Sequence, residues 1–428
     1  MVISKARQLR DKIKNLKLFN ESHHLTREEV GPALAYIDNY WKSLVRYHPN
    51  DEGNLVGLPN KFIVPSFARG AEFDYNEQYY WDSYFIIKGL LNEKYRELNI
   101  GMLDNLIYMF ERFRIIPNAS RLYLTSRSHP PLLSSLIFDI YDAYKLDKKW
   151  LASRMPYAEQ EYNTVWMGRT KPNVRVIYKN LSRYYDFNYL NDIAETESGW
   201  DMTPRFYRKA LNFLPIDLSA LLYKYEMDFS RYYEIMGDVE TAKKWKKLAH
   251  KRRENTDELM WSNTRGLYYD YNFERQRRGS VGSLASYYPM WMKMTSNAQA
   301  EKLVKSLRKF EHKGGLATTE LYTSRYLPII QSEPTQWAYP NGWAPLHFIV
   351  TEGLSNYGYH EAARRIAVKW LKTNLSWFAE HGVFLEKYNV VNPKKPPEKG
   401  LYPSQTGFGW TNSIFVYLAN KYLDHKHE

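Results

Sequence analysis

The feature that most constrains the fold is a helical spacing of apolar residues that recurs along most of the 428-residue chain. Residues 33–47 and 218–237 are clear examples, with apolar side chains three and four positions apart. About twelve such segments can be distinguished, separated by loops that contain aromatic residues, proline or glycine. Their approximate spans are 31–48, 82–92, 97–114, 131–145, 148–168, 216–237, 239–261, 282–294, 297–310, 336–354, 358–379 and 409–423. Strand signals are few and short, as at residues 382–390.

The arrangement of these segments predicts one all-α domain. No Ser- or Gly-rich linker divides the chain, so we expect six helical hairpins in a single toroid. In such a fold the inner helices bury their faces, and the loops at one end form a cleft. Thr26 and Glu29 predict a capping box at the start of the first helix.

The composition excludes several functional classes. The chain has no cysteine, which rules out disulfides, thiolate metal sites and cysteine nucleophiles. No apolar run reaches the length of about 18 residues that spans a membrane. The net charge is +13, but the basic residues are spread along the chain without a known nucleic-acid module. The densest basic run, residues 243–254, is typical of a solvated helix face. We therefore expect neither nucleic acid nor a membrane as a partner; the sequence does not indicate an oligomeric state.

The N-terminus predicts a helix outside the main domain. Residues 1–19 have apolar positions at helical spacing with basic residues between them, and they lack the continuous apolar core of a signal peptide. A surface helix docked on the domain is the first interpretation, and a helix on a membrane surface is the second. We expect a helical extension over 1–25 and a single catalytic domain over 26–428. The absence of a signal peptide and of cysteine favours the cytoplasm.

Six loops combine Trp or Tyr with acidic, amide or Arg side chains. They cover residues 68–85, 117–133, 195–206, 332–348, 384–390 and 402–413. Catalytic groups often lie on loops that a rigid scaffold positions. Aromatic residues make up 16% of the chain, and amphipathic rings can stack on sugars, although large helical proteins also pack aromatics in their cores.

The acids in these loops are candidates for glycoside hydrolysis, which needs two carboxyl groups across the scissile bond. Asp201 directly follows Trp200, and burial beside an indole raises the pKa of a carboxyl toward that of a useful acid. Glu386 precedes Lys387, which favours an ionised carboxylate, as a base requires. The full set is Glu77, Asp82, Glu195, Glu197, Asp201 and Glu386. Each acid alone is more often a cap or a surface charge, but the set favours catalysis.

Other chemistries lack their motifs. The sequence contains no phosphate-binding or dinucleotide-binding glycine loop, no G-x-S-x-G elbow and no H-E-x-x-H spacing. We therefore expect no cofactor and no metal.

At these loops the sequence resembles the trehalases of glycoside hydrolase family 37, and more widely the α-glycosidases of family 63. The matching motifs are "YYWDSYF" (79–85), "PNASRLYLTSRSHPP" (117–131), "ESGWD" (197–201), "QWAYPNGWAPL" (336–346), "EKYNV" (386–390) and "QTGFGWTNS" (405–413). They occur in the family's order from about residue 60 to residue 425. The resemblance implies an (α/α)6 barrel and hydrolysis with inversion of configuration.

The resemblance also implies residue roles. Asp201 would be the general acid and Glu386 the general base, roughly 6.5–9.5 Å apart. Trp81 and Asp82 would hold the glucose, while Asn118 and Arg127 would contact its hydroxyls. Further substrate-binding residues would be Tyr80, His129, Gly199, Trp200, Gln336, Trp337, Asn341, Trp343, Tyr388, Gln405 and Trp410.

The chain departs from the family pattern at four places. Asp74 and Tyr75 stand where the family has Arg-Phe, and the Arg-Pro-Glu-Ser segment of the family is missing between Tyr185 and Glu195. His129 replaces a Gln. A basic lid, residues 392–405, replaces a glycine-rich one, with Leu401 at the position of a sugar-contacting Glu.

Three hypotheses follow. The first is hydrolysis of α,α-trehalose to two glucose molecules. The second is the same chemistry on another small α-glycoside, such as glucosylglycerate or mannosylglycerate, whose anionic aglycone would suit the net charge of +13 and the lid lysines. The third is a non-catalytic sugar-binding relative, against which the retention of both Asp201 and Glu386 argues.

Overall fold

The computed structural model describes residues 24–67, 75–171, 173–321, 335–398, 400 and 402–423. The predicted N-terminal extension lies almost entirely outside these residues, as do Asp74, Lys399 and Leu401. The helices of the described residues are α1 (Arg27–Leu44), α2 (Tyr80–Lys88), α3 (Arg96–Phe113), α4 (Leu133–Ala143), α5 (Lys148–Ala152), α6 (Met155–Glu161), α7 (Asn191–Thr196), α8 (Ile216–Met236), α9 (Val239–Met260), α10 (Tyr288–Trp291), α11 (Asn297–Ser306), α12 (Ala344–Asn356), α13 (His360–His381) and α14 (Gly409–Tyr422).

An inner ring of helices forms the centre of the molecule. Helix α14 packs against α2, and α4, α8, α10, α12 and α14 follow one another as neighbours. The ring closes between α2 and α4, where the Tyr80 hydroxyl accepts hydrogen bonds from the backbone N–H groups of Leu132 and Leu133. Helices α1, α3, α6, α9 and α13 pack outside this ring, and α11 lies beside the short strand at Leu267–Tyr268. The prediction of an all-α toroid of six hairpins, an (α/α)6 barrel, is confirmed.

Local capping explains where several helices begin and end. The Thr26–Glu29 capping box precedes α1, with the Thr26 N–H donating to Glu29 Oε2 at 2.8 Å. Gly237 ends α8 with a φ of 89°, a left-handed conformation that favours glycine, and Asp238 then caps α9.

The strands are short antiparallel ribbons that brace the connections between helices. They are β1 (Val45–Arg46), β2 (Phe62–Ile63), β3 (Val176–Tyr178), β4 (Leu181–Ser182), β5 (Phe213–Leu214), β6 (Trp261–Ser262), β7 (Leu267–Tyr268), β8 (Tyr271–Asn272), β9 (Arg277–Arg278), β10 (Glu311–His312), β11 (Gly315–Leu316), β12 (Asn341–Trp343) and β13 (Lys387–Asn389). The β12–β13 ribbon pairs Asn341 with Asn389 and Trp343 with Lys387.

Three of the predicted helices differ from the structure. The segment predicted as a helix over 336–354 begins with a loop and β12, and α12 starts only at Ala344. Pro340 and Pro345 disfavour a helix that runs through this segment. The helix predicted over 148–168 is broken into α5, α6 and a π turn at Tyr162–Trp166. The helix predicted over 282–294 is a 3₁₀ turn, Leu284–Tyr287, followed by the single turn of α10. No described helix has the length and hydropathy required to cross a membrane.

Candidate active site

A cleft of about 410 Å³ opens at one end of the toroid, and each of the six aromatic loops contributes at least one side chain to it. Its lining residues are Pro65, Tyr75, Glu77, Tyr79, Trp81, Asp82, Asn118, Arg121, Tyr123, Leu124, Arg127, His129, Thr196, Gly199, Asp201, Trp337, Glu386, Tyr402, Phe408 and Trp410. Thus the structure brings ten of the predicted site residues to one cleft, Asp201 and Glu386 among them.

The turn that carries Asp201 is fixed by its own side chains. Gly199 has a φ of 73°, and a Cβ atom at this position would lie 3.0–3.2 Å from the Trp81 ring. A side chain at residue 199 would therefore crowd the Trp81 ring and would be strained by the positive φ. The carboxyl of Glu195 accepts the Thr203 N–H at 2.9 Å, and the Ser198 hydroxyl donates to the Glu195 carbonyl at 2.6 Å. These bonds close the turn around Asp201.

The environment of Asp201 suits a proton donor. Loss of hydration raises the pKa of the Asp201 carboxyl to about 6, while the nearby Arg127 opposes the shift and the charge of Glu386 adds to it. Asp201 and Glu386 both line the cleft, so the charge of one favours the protonated form of the other. Asp201 can therefore be protonated near neutral pH.

The Glu386 carboxyl group is part of a ring of hydrogen bonds. The Tyr402 hydroxyl donates to Glu386 Oε1 at 3.0 Å, and Lys387 Nζ donates to Glu386 Oε2 at 3.1 Å. Gln336 closes the ring, because its amide donates to the Tyr402 hydroxyl at 3.0 Å and accepts from Lys387 at 3.1 Å. Two donors on one carboxylate, one of them cationic, stabilise its charged form.

The floor of the cleft combines an aromatic surface with buried polar groups. Trp81 lies beside Asp82, whose pKa is raised well above the usual value by loss of hydration and by the charge of Asp201. Burial and Arg127 hold the pKa of His129 well below its usual value, so the ring is neutral and its Nδ1 accepts the Trp81 N–H at 3.5 Å. The Asn118 amide donates to the Ser128 carbonyl at 3.4 Å.

Seven residues predicted to bind substrate lie behind the cleft wall instead. They are Tyr80, Trp200, Gln336, Asn341, Trp343, Tyr388 and Gln405, and all are buried. Their polar groups or rings are engaged within the protein: Tyr80 contacts Glu161 and Tyr225, for example, and the Tyr388 hydroxyl accepts the Leu385 N–H at 2.8 Å. Their role in substrate binding stays a prediction; in the structure each supports a residue that lines the cleft or a loop that carries one.

Two of the candidate acids also have structural partners. Glu197 is buried and accepts four hydrogen bonds, from Arg175 at 2.6 and 2.7 Å and from the backbone N–H groups of Ser128 and Tyr185. It therefore anchors two site loops. Glu77 lines the cleft but pairs with Arg121 at 2.8 Å.

Several cleft residues were not predicted, among them Tyr79, Arg121, Tyr123, Tyr402 and Phe408. The structure places the Tyr402 hydroxyl on the Glu386 carboxylate. The only sequence signal for Tyr402 was its position in the loop at 402–413. Tyr75, noted above as a departure from the family pattern, also lines the cleft, where the charges of Glu386 and Asp82 surround it.

The helical toroid, with Asp201 and Glu386 in one cleft, has the architecture of the helical-barrel glycosidases. The structure is similar to that of the neutral trehalase of Saccharomyces cerevisiae, with a TM-score of 0.75 and 27% identity over 85% of this chain and 74% of the yeast chain. A family 63 mannosylglycerate hydrolase from Thermus thermophilus, solved with glucose, shares the fold, with a TM-score of 0.61 and 16% identity over 90% of this chain and 99% of that chain.

Similarity in sequence identifies the family more specifically than similarity in fold. A trehalase family profile matches residues 4–196 and 185–422, which together cover most of the chain. The chain belongs to the trehalase family and is a glycosidase.

Proposed function

We propose that the protein hydrolyses α,α-trehalose to two glucose molecules, with inversion at the attacked carbon. Asp201 donates its proton to the glycosidic oxygen as the C–O bond breaks. Glu386 takes a proton from a water molecule whose oxygen forms the new bond to the anomeric carbon. The observation that carries this proposal is the contrast between the two carboxyl groups: Asp201 has a pKa of about 6, whereas Glu386 accepts hydrogen bonds from Tyr402 and Lys387.

The charge balance of the cleft supports a neutral substrate. Its described lining contains the carboxyl groups of Glu77, Asp82, Asp201 and Glu386 but only two guanidinium groups, those of Arg121 and Arg127. Arg121 is already paired with Glu77. The lid residues Lys394 and Lys395 are exposed and are not part of this lining. Even with Asp82 and Asp201 protonated, as their raised pKa values favour, the carboxylates of Glu77 and Glu386 balance the two guanidinium groups. The lining therefore offers an anionic aglycone such as glycerate no excess of positive charge, which favours trehalose over a glycosylglycerate.

The test combines product stereochemistry with isosteric variants. We expect proton NMR of the first turnovers to show one β-glucose for each α-glucose released from trehalose. Asp201→Asn and Glu386→Gln should each lower kcat by a factor of about 100 or more, because neither amide can transfer the required proton. The control is Asp192→Asn, an exposed acid on the same segment that pairs with Arg208 at 3.2 Å. Retention of more than a few per cent of the wild-type rate in either variant, or release of α-glucose alone, contradicts the proposal.

A further inference from the structure

A continuous stack of cations and indole rings lies beside the cleft, and one of its rings, Trp337, lines the cleft. The Arg205 guanidinium lies over the Trp200 ring at 4.6 Å. Trp200 stacks on Trp337, with ring centroids 5.4 Å apart and an interplanar angle of 21°. Trp337 stacks on Trp343 at 3.8 Å with parallel planes. Lys387 Nζ completes the stack at 5.0 Å from the Trp343 ring. We call these five residues the indole column.

Both ends of the column are fixed. The Arg205 guanidinium makes paired hydrogen bonds to Asp217, at 2.5 and 3.2 Å, and to Asp270, at 2.7 and 3.0 Å. At the other end, Lys387 Nζ donates to Glu386 and to Gln336, both at 3.1 Å. All five members of the column are at most 2% exposed, so neither end can move without breaking buried ionic contacts.

The column joins the neighbours of the two proposed catalytic carboxyl groups. Trp200 directly precedes Asp201, and Lys387 directly follows Glu386. The Trp337 N–H also donates to the Met202 carbonyl at 3.4 Å, which ties the middle of the column to the turn that carries the acid. Trp343 and Lys387 are direct partners across the β12–β13 ribbon, so the other half is tied to the segment that carries the base.

We propose that the indole column sets the separation of the Asp201 and Glu386 carboxyl groups, with Trp343 and Trp200 as positioning residues. This inference rests on the proposed function, since an inverting hydrolase needs a fixed gap of roughly 6.5–9.5 Å that admits one water molecule. Stacked rings are difficult to compress, so they act as a spacer of constant thickness. A displacement of about 1 Å at a reacting group can lower a rate by about 100-fold.

The experiment compares Trp343→Phe and Trp343→Leu with Trp370→Phe. Trp370 is a matched control: it is also fully buried and stacked, on His347 at 3.9 Å, but it lies outside the column and the cleft lining. We expect Trp343→Leu to lower kcat on trehalose by about 100-fold, and Trp343→Phe to lower it less because a smaller ring still fills the gap. KM should change by less than about threefold, because Trp343 does not line the cleft. Trp370→Phe should lower the melting temperature with kcat per folded molecule unchanged.

The pH–rate profile separates positioning from simple loss of folded protein. Leucine in place of Trp343 should let the carboxyl groups shift and admit water, so the alkaline limb of kcat/KM should move to lower pH as Asp201 regains hydration. Loss of folded molecules lowers the rate at every pH, and the alkaline limb of the pH–rate profile stays at the same pH. Crystal structures of both Trp343 variants should show a changed distance between the two carboxyl carbons.

The results distinguish failure of the positioning role from failure of the proposed function. If a folded Trp343→Phe or Trp343→Leu enzyme has the kcat, pH profile and carboxyl separation of Trp370→Phe, the positioning role of the column is overturned while the proposed function stands. If the wild-type protein does not release glucose from trehalose, or Asp201→Asn retains the rate, the proposed function itself fails. In that case the carboxyl separation in the Trp343 variants still reports whether the column sets the spacing.

Discussion

At the scale of single residues, the pKa of Asp201 makes a direct prediction about the pH dependence of activity. The carboxyl must carry a proton to act as the acid, and its pKa is raised to about 6. Activity should therefore be lost as pH rises through this value, with kcat/KM falling about tenfold per pH unit beyond it. Steady-state kinetics on trehalose across the pH range tests this. An alkaline limb near pH 8 would instead match Glu195, whose pKa burial raises to about 8, and would move the acid role away from Asp201.

The raised pKa of Glu195 leads to a second prediction, which concerns the stability of the fold at different pH. Its carboxyl is buried, with Oε2 unpaired, and its pKa is raised from 4.5 to about 8. A raised carboxyl pKa means that the folded state binds the proton more tightly. Stability from this group is therefore complete below pH 4.5 and is lost as pH rises toward 8, by on the order of a few kcal/mol.

Glu195→Gln should remove this loss, because the amide still accepts the Thr203 N–H and carries no charge. Its apparent melting temperature should exceed that of the wild type at pH 8 and above, and the difference should shrink toward pH 5. Thermal scans at one fixed rate measure this, with exposed Glu254→Gln as the control. Parallel pH dependence in the variant and the wild type would contradict it.

At the scale of secondary-structure elements, Arg205 connects the turn that carries Asp201 to the start of α8 and to β8. It is fully buried between Asp217, in the first turn of α8, and Asp270, which precedes β8. Arg205→Met would leave two buried carboxylates without a cation. We expect it to destabilise the fold by about 3–5 kcal/mol. The matched control, Arg208→Met, removes a cation from a pair in which both side chains are exposed, and should cost at most about 1 kcal/mol.

Denaturant unfolding of both variants tests this prediction. Equal losses for Arg205→Met and Arg208→Met would show that the buried cluster does not hold these elements together.

Some secondary-structure elements could be predicted from the sequence, and others could not. Helices α1, α8 and α9 follow directly from periodicity and caps, since those signals are local. The β12–β13 ribbon could not be predicted, because Trp343 and Lys387 are far apart in the chain and pairing between them has no local signal. An apolar run around 336–354 therefore resembled one helix, although only its second part forms α12.

At the scale of the whole molecule, the sequence predicted the toroid and the loops that form the cleft, since these depend on the order of motifs. It could not predict which residues face the cavity. Trp337 and Trp343 belong to one motif, yet only Trp337 lines the cleft, and Trp343 stacks behind it. That difference depends on how the rings stack in three dimensions, as does the Tyr402 contact to Glu386.

The last prediction concerns the net charge of +13, which the sequence linked to an anionic substrate. The cleft lining is instead rich in carboxyl groups, and Lys394 and Lys395 are exposed and lie outside it. Charges in such positions act only through a field that salt screens, with a range of about 30 Å at 0.01 M and about 3 Å at 1 M salt. We expect Lys394→Gln with Lys395→Gln to change kcat/KM for trehalose by less than about twofold, and salt to have as small an effect.

The same measurement of kcat/KM with glucosylglycerate as the substrate tests the anionic alternative. It is made on the wild type and on the double lysine variant, at about 0.01 M and about 1 M salt. We expect slow turnover of this anion, because the described lining of the cleft has no excess of positive charge to bind it. A higher kcat/KM for glucosylglycerate than for trehalose, lost both in high salt and in the lysine variant, would contradict this expectation. It would mean that long-range attraction by the lid lysines determines which substrate is bound, and that the physiological substrate is anionic.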